Sequence, residues 1–410
     1  MMGKWAKILL LATAICGLCT ATQANTTAMT TTSANSTQEL EPTPVISHIH
    51  FAPDAKFGAS LKLKHNIIAQ QKRIALLLPL KSSAFGSAAD AVRAGVQAAY
   101  ENEKNGIEIE VLETDGTTQD ALAGYAAAVA NFDIVIGPLS RSEVTAIAQS
   151  GIVSKPSIAL TQPDLGEAEL TIPANMLVMG LSIEDEARQV ANWMSTDKVL
   201  LKAVVISTNT AWQRRAAKAF MTQWRQLGLT AQLLELPFAD GVLTPNTLTQ
   251  VKKRITAENP LAAFLALEAS QASQILPAVN NNISVFGTSQ LNPQSYFEWQ
   301  TAERKEEMNG TYLVDIPWQL QPDHPAVMIY PRLVVSPNKV HSADMERLYA
   351  LGIDAYRVAA QLAAGYTQFS LDGVTGKLKI QFGTTKALFE RTKQEAKYEN
   401  GLVVPIKNAP

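Results

Sequence analysis

The chain has 410 residues, 47% hydrophobic and 18% charged, with a formal net charge of −2. That length exceeds one compact domain and suits two, and the apolar fraction supplies a full core. A charge this close to neutral excludes a nucleic-acid footprint. Residues 1–24 read as an export signal: Lys4 and Lys7 form a basic start, Ile8 to Leu18 an apolar run too short to span a bilayer, and Thr22-Gln23-Ala24 a small-residue cleavage site. Both cysteines, Cys16 and Cys19, lie inside this segment. A lipoprotein signal places a small residue before its cysteine, and Ile15 and Leu18 do not fit. Cleavage after Ala24 is therefore the expected processing, with a lipid anchor on Cys16 or Cys19 as the alternative. Cleavage there leaves no cysteine, hence no disulfide and no thiol chemistry. Residues 25–72 form a leader, Thr/Ser/Asn-rich up to Pro44 and expected to be a disordered tether. Its His48-x-His50 pair lacks a third ligand nearby, so no metal site is expected.

From Arg73 onward, strands alternate with helices. Ile74–Leu80 is a buried strand, Phe85–Glu103 a helix with a stripe of Ala91, Ala94, Gly95, Ala98 and Ala99 suited to packing on a sheet, Ile107–Leu112 a strand, and Thr118–Phe132 a helix. Asp133–Pro138 is a short β-branched run, as in a strand covered on both faces. Ser140 then caps the next helix, with Glu143 completing a capping box. Ser157–Leu160 is the following strand. The polar loops at residues 139–143 and 161–164 thus lie side by side at the carboxyl edge of one parallel sheet, where ligands of such sheets bind. The alternation restarts at Ser182, which with Asp185 opens a helix through Met194. Strand Val199–Ser207 and helix Ala211–Leu227, with Trp212, Ala216, Phe220 and Trp224 on one face, come next. Strand Thr230–Leu236, helix Thr247–Glu258, strand Leu261–Leu267, helix Ser270–Val279 and strand Ile283–Gly287 continue the pattern. Gly310–Ile316 is a strand. Residues 317–338 carry five prolines, too many for a regular element to pass through. Ser342 caps a helix from Asp344 to Ala364, Leu371–Gly376 is a turn, Lys377–Phe382 a strand, and Lys397–Ile406 a hairpin.

The order of these elements, with the texts Leu76-Leu77-Leu78-Pro79-Leu80, Ile136-Gly137-Pro138-Leu139 and Leu371-Asp372-Gly373-Val374-Thr375-Gly376, resembles the type I periplasmic-binding fold. Three further runs resemble the penicillin-binding-protein activator family of the LppC/LpoA type. They are Phe264-Leu265-Ala266-Leu267, Tyr312 to Trp318, and above all Arg347-Leu348-Tyr349-Ala350-Leu351-Gly352-Ile353-Asp354-Ala355-Tyr356-Arg357. The last run is specific because helix amphipathicity does not demand its aromatic and acidic positions. The resemblance implies an α/β fold of two Rossmann-like lobes joined by a hinge. Lobe 1 is expected over 73–181 with about 317–370, and lobe 2 over 182–316 with about 371–410. It implies a periplasmic regulator, commonly an outer-membrane lipoprotein, that binds and activates a class A penicillin-binding protein. Relatives carry a helical-repeat domain ahead of this body, and the stretch between Ala24 and Arg73 is too short for one.

By position in such a fold, Ser82, Ser83, Ser140, Arg141, Thr161 and Gln162 from the first lobe and Asn209, Trp212 and Glu268 from the second face the cleft. Loop hydroxyls and helix N-termini there would grip a small anionic or muropeptide ligand, with Arg141 as a bidentate clamp. Helix capping and loop hydrogen bonds explain the same hydroxyls without a ligand. In the proline-rich segment, Trp318, His324, Met328, Ile329 and Tyr330 form a candidate partner surface; packing on its own lobe is the other reading. No catalytic constellation emerges. Ser-x-x-Lys occurs at Ser195–Lys198 and Ser336–Lys339 without the Lys-Thr-Gly strand an acylating serine needs. His324 and His341 sit away from the cleft edge, and no P-loop or dinucleotide fingerprint is present. The alternative function is a solute receptor for amino acids or peptides feeding an ABC transporter. Neither reading calls for a metal or a cofactor.

Overall fold

The computed structural model describes residues 71–407 apart from 165–170, 198, 200–201, 239–241, 280–281, 295–303, 334–341 and 384–385. The export signal with Cys16 and Cys19, nearly all of the leader with His48 and His50, Lys198, His341 and the Ser336–Lys339 motif lie outside them.

The first lobe opens with β1 (Lys72–Leu78), α1 (Gly86–Asn102), β2 (Ile107–Glu113), α2 (Thr118–Asn131), β3 (Ile134–Ile136), α3 (Arg141–Gln149), β4 (Ser157–Ala159) and β5 (Met176–Val178). Its five strands are parallel in the order β2-β1-β3-β4-β5. The central strands are buried on both faces, which is why their sequences read as continuous apolar runs. The second lobe follows with α4 (Ile183–Met194), β6 (Lys202–Ser207), α5 (Ala211–Gln226), β7 (Thr230–Glu235), α6 (Pro245–Glu258), β8 (Ala262–Leu265), α7 (Ala269–Ile275), β9 (Ser284–Gly287) and β10 (Tyr312–Asp315). The chain then returns through α8 (Pro317–Leu320), α9 (Pro325–Met328) and α10 (Ala343–Ala363). After these come β11 (Gln368–Gly373), β12 (Gly376–Phe382), β13 (Ala387–Thr392), β14 (Gln394–Glu399) and β15 (Leu402–Pro405). The second sheet runs β15-β14-β10-β9-β8-β6-β7, and β11-β12-β13 is a separate antiparallel sheet.

Four differences from the sequence reading have clear causes. The small-residue stripe of α1 packs on helix α10, not on the sheet. A Cβ on Gly95 would lie 1.9 Å from the Tyr349 carbonyl, and one on Gly352 would lie 2.2 Å from the Val92 carbonyl. Leu371, Asp372 and Gly373 belong to a strand, leaving only Val374 and Thr375 as the hairpin turn. Residues 371–392 were expected in the second lobe, but Val374, Leu378, Ile380 and Ala387 are buried in the first lobe's core, so only β14 and β15 join the second sheet. Finally, Pro317 and Pro325 do not break structure. Each begins a one-turn helix, the position where its missing N–H costs nothing. The chain therefore crosses between lobes three times: at Gly180–Ser182, Asp315–Pro317 and Thr392–Gln394.

Candidate functional site

The loops that end β1, β3 and β4 on one lobe, and β6, β8 and β9 on the other, make the two lips of a cleft beside the crossings. On the first lip, Ser140 is buried. Its Oγ accepts from the Glu143 N–H at 3.3 Å while the Glu143 carboxylate accepts from the Ser140 N–H at 3.1 Å. This is the expected capping box, and it leaves Ser140 busy as a cap. Ser82 accepts from the Phe85 N–H at 3.4 Å where α1 begins, and Ser83 is exposed. Thr161 is half-buried, and Gln162 donates to the Asp185 carboxylate across the lobes at 3.5 Å.

Arg141 is held by the protein itself. Its Nε donates to Asp164 at 2.9 Å, and one terminal nitrogen donates to the Pro163 carbonyl at 3.1 Å and sits 3.6 Å from Glu184. Glu184, two residues past the first crossing, also takes the Arg215 Nε at 2.8 Å. An ion chain Asp164–Arg141–Glu184–Arg215 thus spans the cleft floor. On the second lip, Asn209 is exposed and Glu268 half-buried. Burial, with Asp344 as a second cause, pushes the Glu268 carboxyl above its ordinary value. Trp212 departs from the expectation of a cleft residue: only 5% exposed, it packs in the core of the second lobe among Ala216, Phe220 and Val205.

The partner surface is corrected in a similar way. Trp318 is fully buried against Tyr349, ring centroids 5.3 Å apart, with the Arg332 guanidinium 4.2 Å over its face. Tyr330 is 5% exposed in the same core. Helix α8, begun at Pro317, turns the Trp318 ring inward, and the bend after α9 does the same for Tyr330. His324 caps α9 by accepting from the Ala326 N–H at 3.2 Å. Of the five residues proposed for this surface, Met328 and Ile329 are open, at 69% and 51% exposure. Among the described residues no group of three His, Cys, Asp or Glu side chains is placed to hold a metal ion.

Sequence reading missed the most elaborate polar feature, a set of buried charges at the crossings. Arg347 on α10 forks onto the fully buried Asp315 at 3.0 and 2.7 Å, takes Asp344 at 2.8 Å, and donates to the Ser289 and Asn292 carbonyls of the second lobe. Burial penalises its charge, yet Asp315 holds the guanidinium well above its ordinary value. Lys393, inside the third crossing, pairs with Glu186 on α4, whose carboxylate also accepts from the Ser289 N–H at 2.8 Å. Arg391 donates to the Met179 and Gly180 carbonyls of the first crossing at 2.9 and 2.7 Å, and to the Thr375 hydroxyl at 3.0 Å. Thr375 in turn donates to the buried Asp354 at 2.6 Å. The signal was present in the sequence as charged residues inside apolar runs: Asp315 in a strand, Arg347 and Asp354 in one helix.

Residues 50–401 match the family described as "LppC putative lipoprotein". The penicillin-binding protein activator LpoA of Photobacterium profundum is 26% identical over 345 residues, covering 76% of this chain and 54% of that protein. The chain spans about half the length of the curated relatives it matches. Among solved structures, one described as a putative branched-chain amino acid ABC transporter from Chromobacterium violaceum is 35% identical. It has a TM-score of 0.63, with 80% of this chain and 100% of that one covered. The LpoA (YraM) C-domain from Haemophilus influenzae, described as a regulator of PBP1A, shares the fold at TM-score 0.65 and 22% identity, with 82% and 100% covered. Two Rossmann-like lobes on a three-strand hinge, and a family match over most of the length, lead to one assignment: the chain belongs to the LppC lipoprotein family.

Proposed function

We propose that this chain is a non-catalytic regulator of peptidoglycan synthesis, exported to the periplasm, that binds a class A penicillin-binding protein and raises its activity. The supporting relatives are named as activators and not as catalysts. The observation that carries the reading is the saturation of the hinge and cleft floor by the chain's own charges. Arg141, the residue best suited to clamp an anionic ligand, already serves Asp164, Pro163 and Glu184. A body whose candidate anion clamp is already engaged by its own side chains works through its outer surface. Activation then requires tighter binding to the active form of the synthase than to the inactive one. Contact takes a surface of about 1,000 Å² or more, and Met328 and Ile329 supply an exposed part of one, with the half-buried His324 beside them. Membrane attachment, in this reading, is through a lipid on Cys16 or Cys19 or not at all.

The test is capture of a class A synthase by the purified chain, together with faster cross-linking by that synthase on lipid II. Failure of both ends the proposal. A solute receptor is the second reading, favoured by the 35% identity to the Chromobacterium violaceum protein. A thermal-shift panel of amino acids and muropeptides separates the two. A true ligand at a hundred times its dissociation constant stabilises by about 2.7 kcal/mol, and a flat panel rejects the receptor.

A further inference from the structure

Strand β7 ends the seven-stranded sheet and, among the described residues, pairs only with β6, in register from Lys202↔Thr230 to Ser207↔Glu235. Its other edge therefore presents unpaired backbone groups along Thr-Ala-Gln-Leu-Leu-Glu. Sheet edges of soluble proteins are ordinarily blunted by a Pro or Lys in the strand, by a bulge, or by a covering element. This strand contains neither Pro nor Lys, and Leu233 stands 43% exposed on it. Beside it, between the sheet and α6, lies a small hollow of about 30 Å³ lined by Val204, Gln232, Leu233, Leu234, Arg254, Ile255 and Glu258.

The flanks of this edge are cationic. On α5, Arg214 reaches Glu235 of β7 through two bonds of 2.8 and 2.7 Å, which fixes that face of the helix beside the strand. Lys218 and Arg225 lie one and three turns further along the same face, exposed. On α6, Arg254 borders the hollow. Lys218, Arg225 and Arg254 have no acidic partner among the described residues. Glu235 and Glu258 are each already matched, by Arg214 and Lys202. An otherwise slightly acidic chain thus concentrates spare positive charge on both sides of one open strand.

We propose that the outer edge of β7 is a docking strand for an extended acidic segment of a partner protein. The segment adds a strand to the sheet, its backbone hydrogen-bonded to β7 and its carboxylates set against Lys218, Arg225 and Arg254. A backbone ladder supplies the register, and charge selects the partner. The inference does not depend on which synthase, if any, the chain activates, since it concerns the outer edge of the second sheet and not the crossings.

The probe is a fluorescein-labelled peptide of three Thr-Glu-Val-Glu repeats, titrated into the full chain by fluorescence anisotropy. Hydrogen exchange of residues 230–235 is followed in parallel. The expected result is saturable, salt-weakened binding with slowed exchange in β7. The triple variant Lys218→Glu, Arg225→Glu, Arg254→Glu should weaken it about tenfold, as expected for loss of three exposed attractions, with circular dichroism unchanged. A second peptide, with alternate backbone nitrogens methylated, keeps the charge but cannot form the ladder, and should not bind. Equal binding of the methylated peptide, no protection of β7, or binding of phosphatidylglycerol vesicles in place of the acidic peptide would each overturn the proposal.

Discussion

Replacing Arg347 with Met removes the cation at the second crossing while nearly preserving volume. The side chain is 6% exposed and its partner Asp315 is fully buried. In the variant, Asp315 keeps, among the described residues, only the Asn292 amide at 2.9 Å and the Ile316 N–H at 2.8 Å. The Ser289 and Asn292 carbonyls lose their donor as well. A buried charge stripped of its partner costs about 3–5 kcal/mol, and two orphaned carbonyls place the loss toward the upper end of that range. Arg347→Lys keeps the charge but cannot fork onto Asp315, so it should fall between wild type and Met. Adding Asp315→Leu to Arg347→Met removes the stranded anion and should recover part of the loss, giving a coupling of about 1 kcal/mol or more. Urea denaturation, read by tryptophan fluorescence and circular dichroism, measures all of these. Trp318 reports on the first lobe and Trp224 on the second. A loss below about 1 kcal/mol for Arg347→Met would refute the view that this pair is a principal tie between the lobes.

Three further outcomes are expected. Gly352→Ala places a methyl 2.2 Å from the Val92 carbonyl and 2.9 Å from the Val96 nitrogen, both backbone, so α1 and α10 must separate; the expected loss is about 3 kcal/mol or more, read by thermal unfolding. Burial raises the Glu143 carboxyl above its ordinary 4.5, against the opposing pull of its Ser140 bonds. The folded state then binds the proton more tightly than the unfolded one, so this group's share of stability falls as pH rises above about 4.5. Glu143→Gln should flatten that slope and raise stability at pH 7, and an unchanged urea-midpoint profile between pH 4 and 7 counts against it. Trp318→Ala should cost about 3–5 kcal/mol as a core truncation, whereas Met328→Glu should leave the melting temperature within about 2 °C. If Met328→Glu also leaves synthase capture unchanged, the α9 surface is not the contact.

The sheet order was legible because each strand and helix carries its own period, and Ser140, Glu143, Ser182 and Asp185 mark helix starts by local bonds spanning three residues. Trp212 shows where position in the fold misleads. It lies on the stripe with Ala216, Phe220 and Trp224, a pattern that alone predicts burial, and the core claimed it. The proline-rich segment misleads differently. Proline is hostile to the middle of a helix, but at the first position it starts one, and α8 and α9 then turn Trp318 and Tyr330 inward. The pairing of the hinge charges was illegible because their partners lie far apart in sequence. Arg347 and Asp315 are 32 residues apart, Lys393 and Glu186 207, and Arg391 and Met179 212. No local pattern encodes such pairings.

The run from Arg347 to Arg357, the strongest family signature in the sequence, takes on physical meaning at this hinge. Arg347 ties α10 to the second lobe, and Tyr349 donates to the Pro331 carbonyl at 2.8 Å. Gly352 admits α1, and Tyr356 donates to the Glu103 carbonyl at the end of α1. Asp354 accepts from the Val374 and Thr375 N–H groups, and Arg357 donates to the Asp372 carbonyl. Every position that amphipathicity left unexplained is bonded to another element. Swinging the lobes apart would strain the second crossing above all, since Arg347 reaches from α10 to Asp315, Ser289 and Asn292 of the second lobe, while Arg391 braces the first crossing from the first lobe and Lys393 ties the third crossing to α4. Loss of even one buried pair, at about 3 kcal/mol, would hold the opened form below roughly one molecule in a hundred. A ligand could reverse that only by preferring the opened form by the same margin. Such a hinge is built to keep two lobes at one angle, which serves a protein that presents a surface better than one that traps a solute.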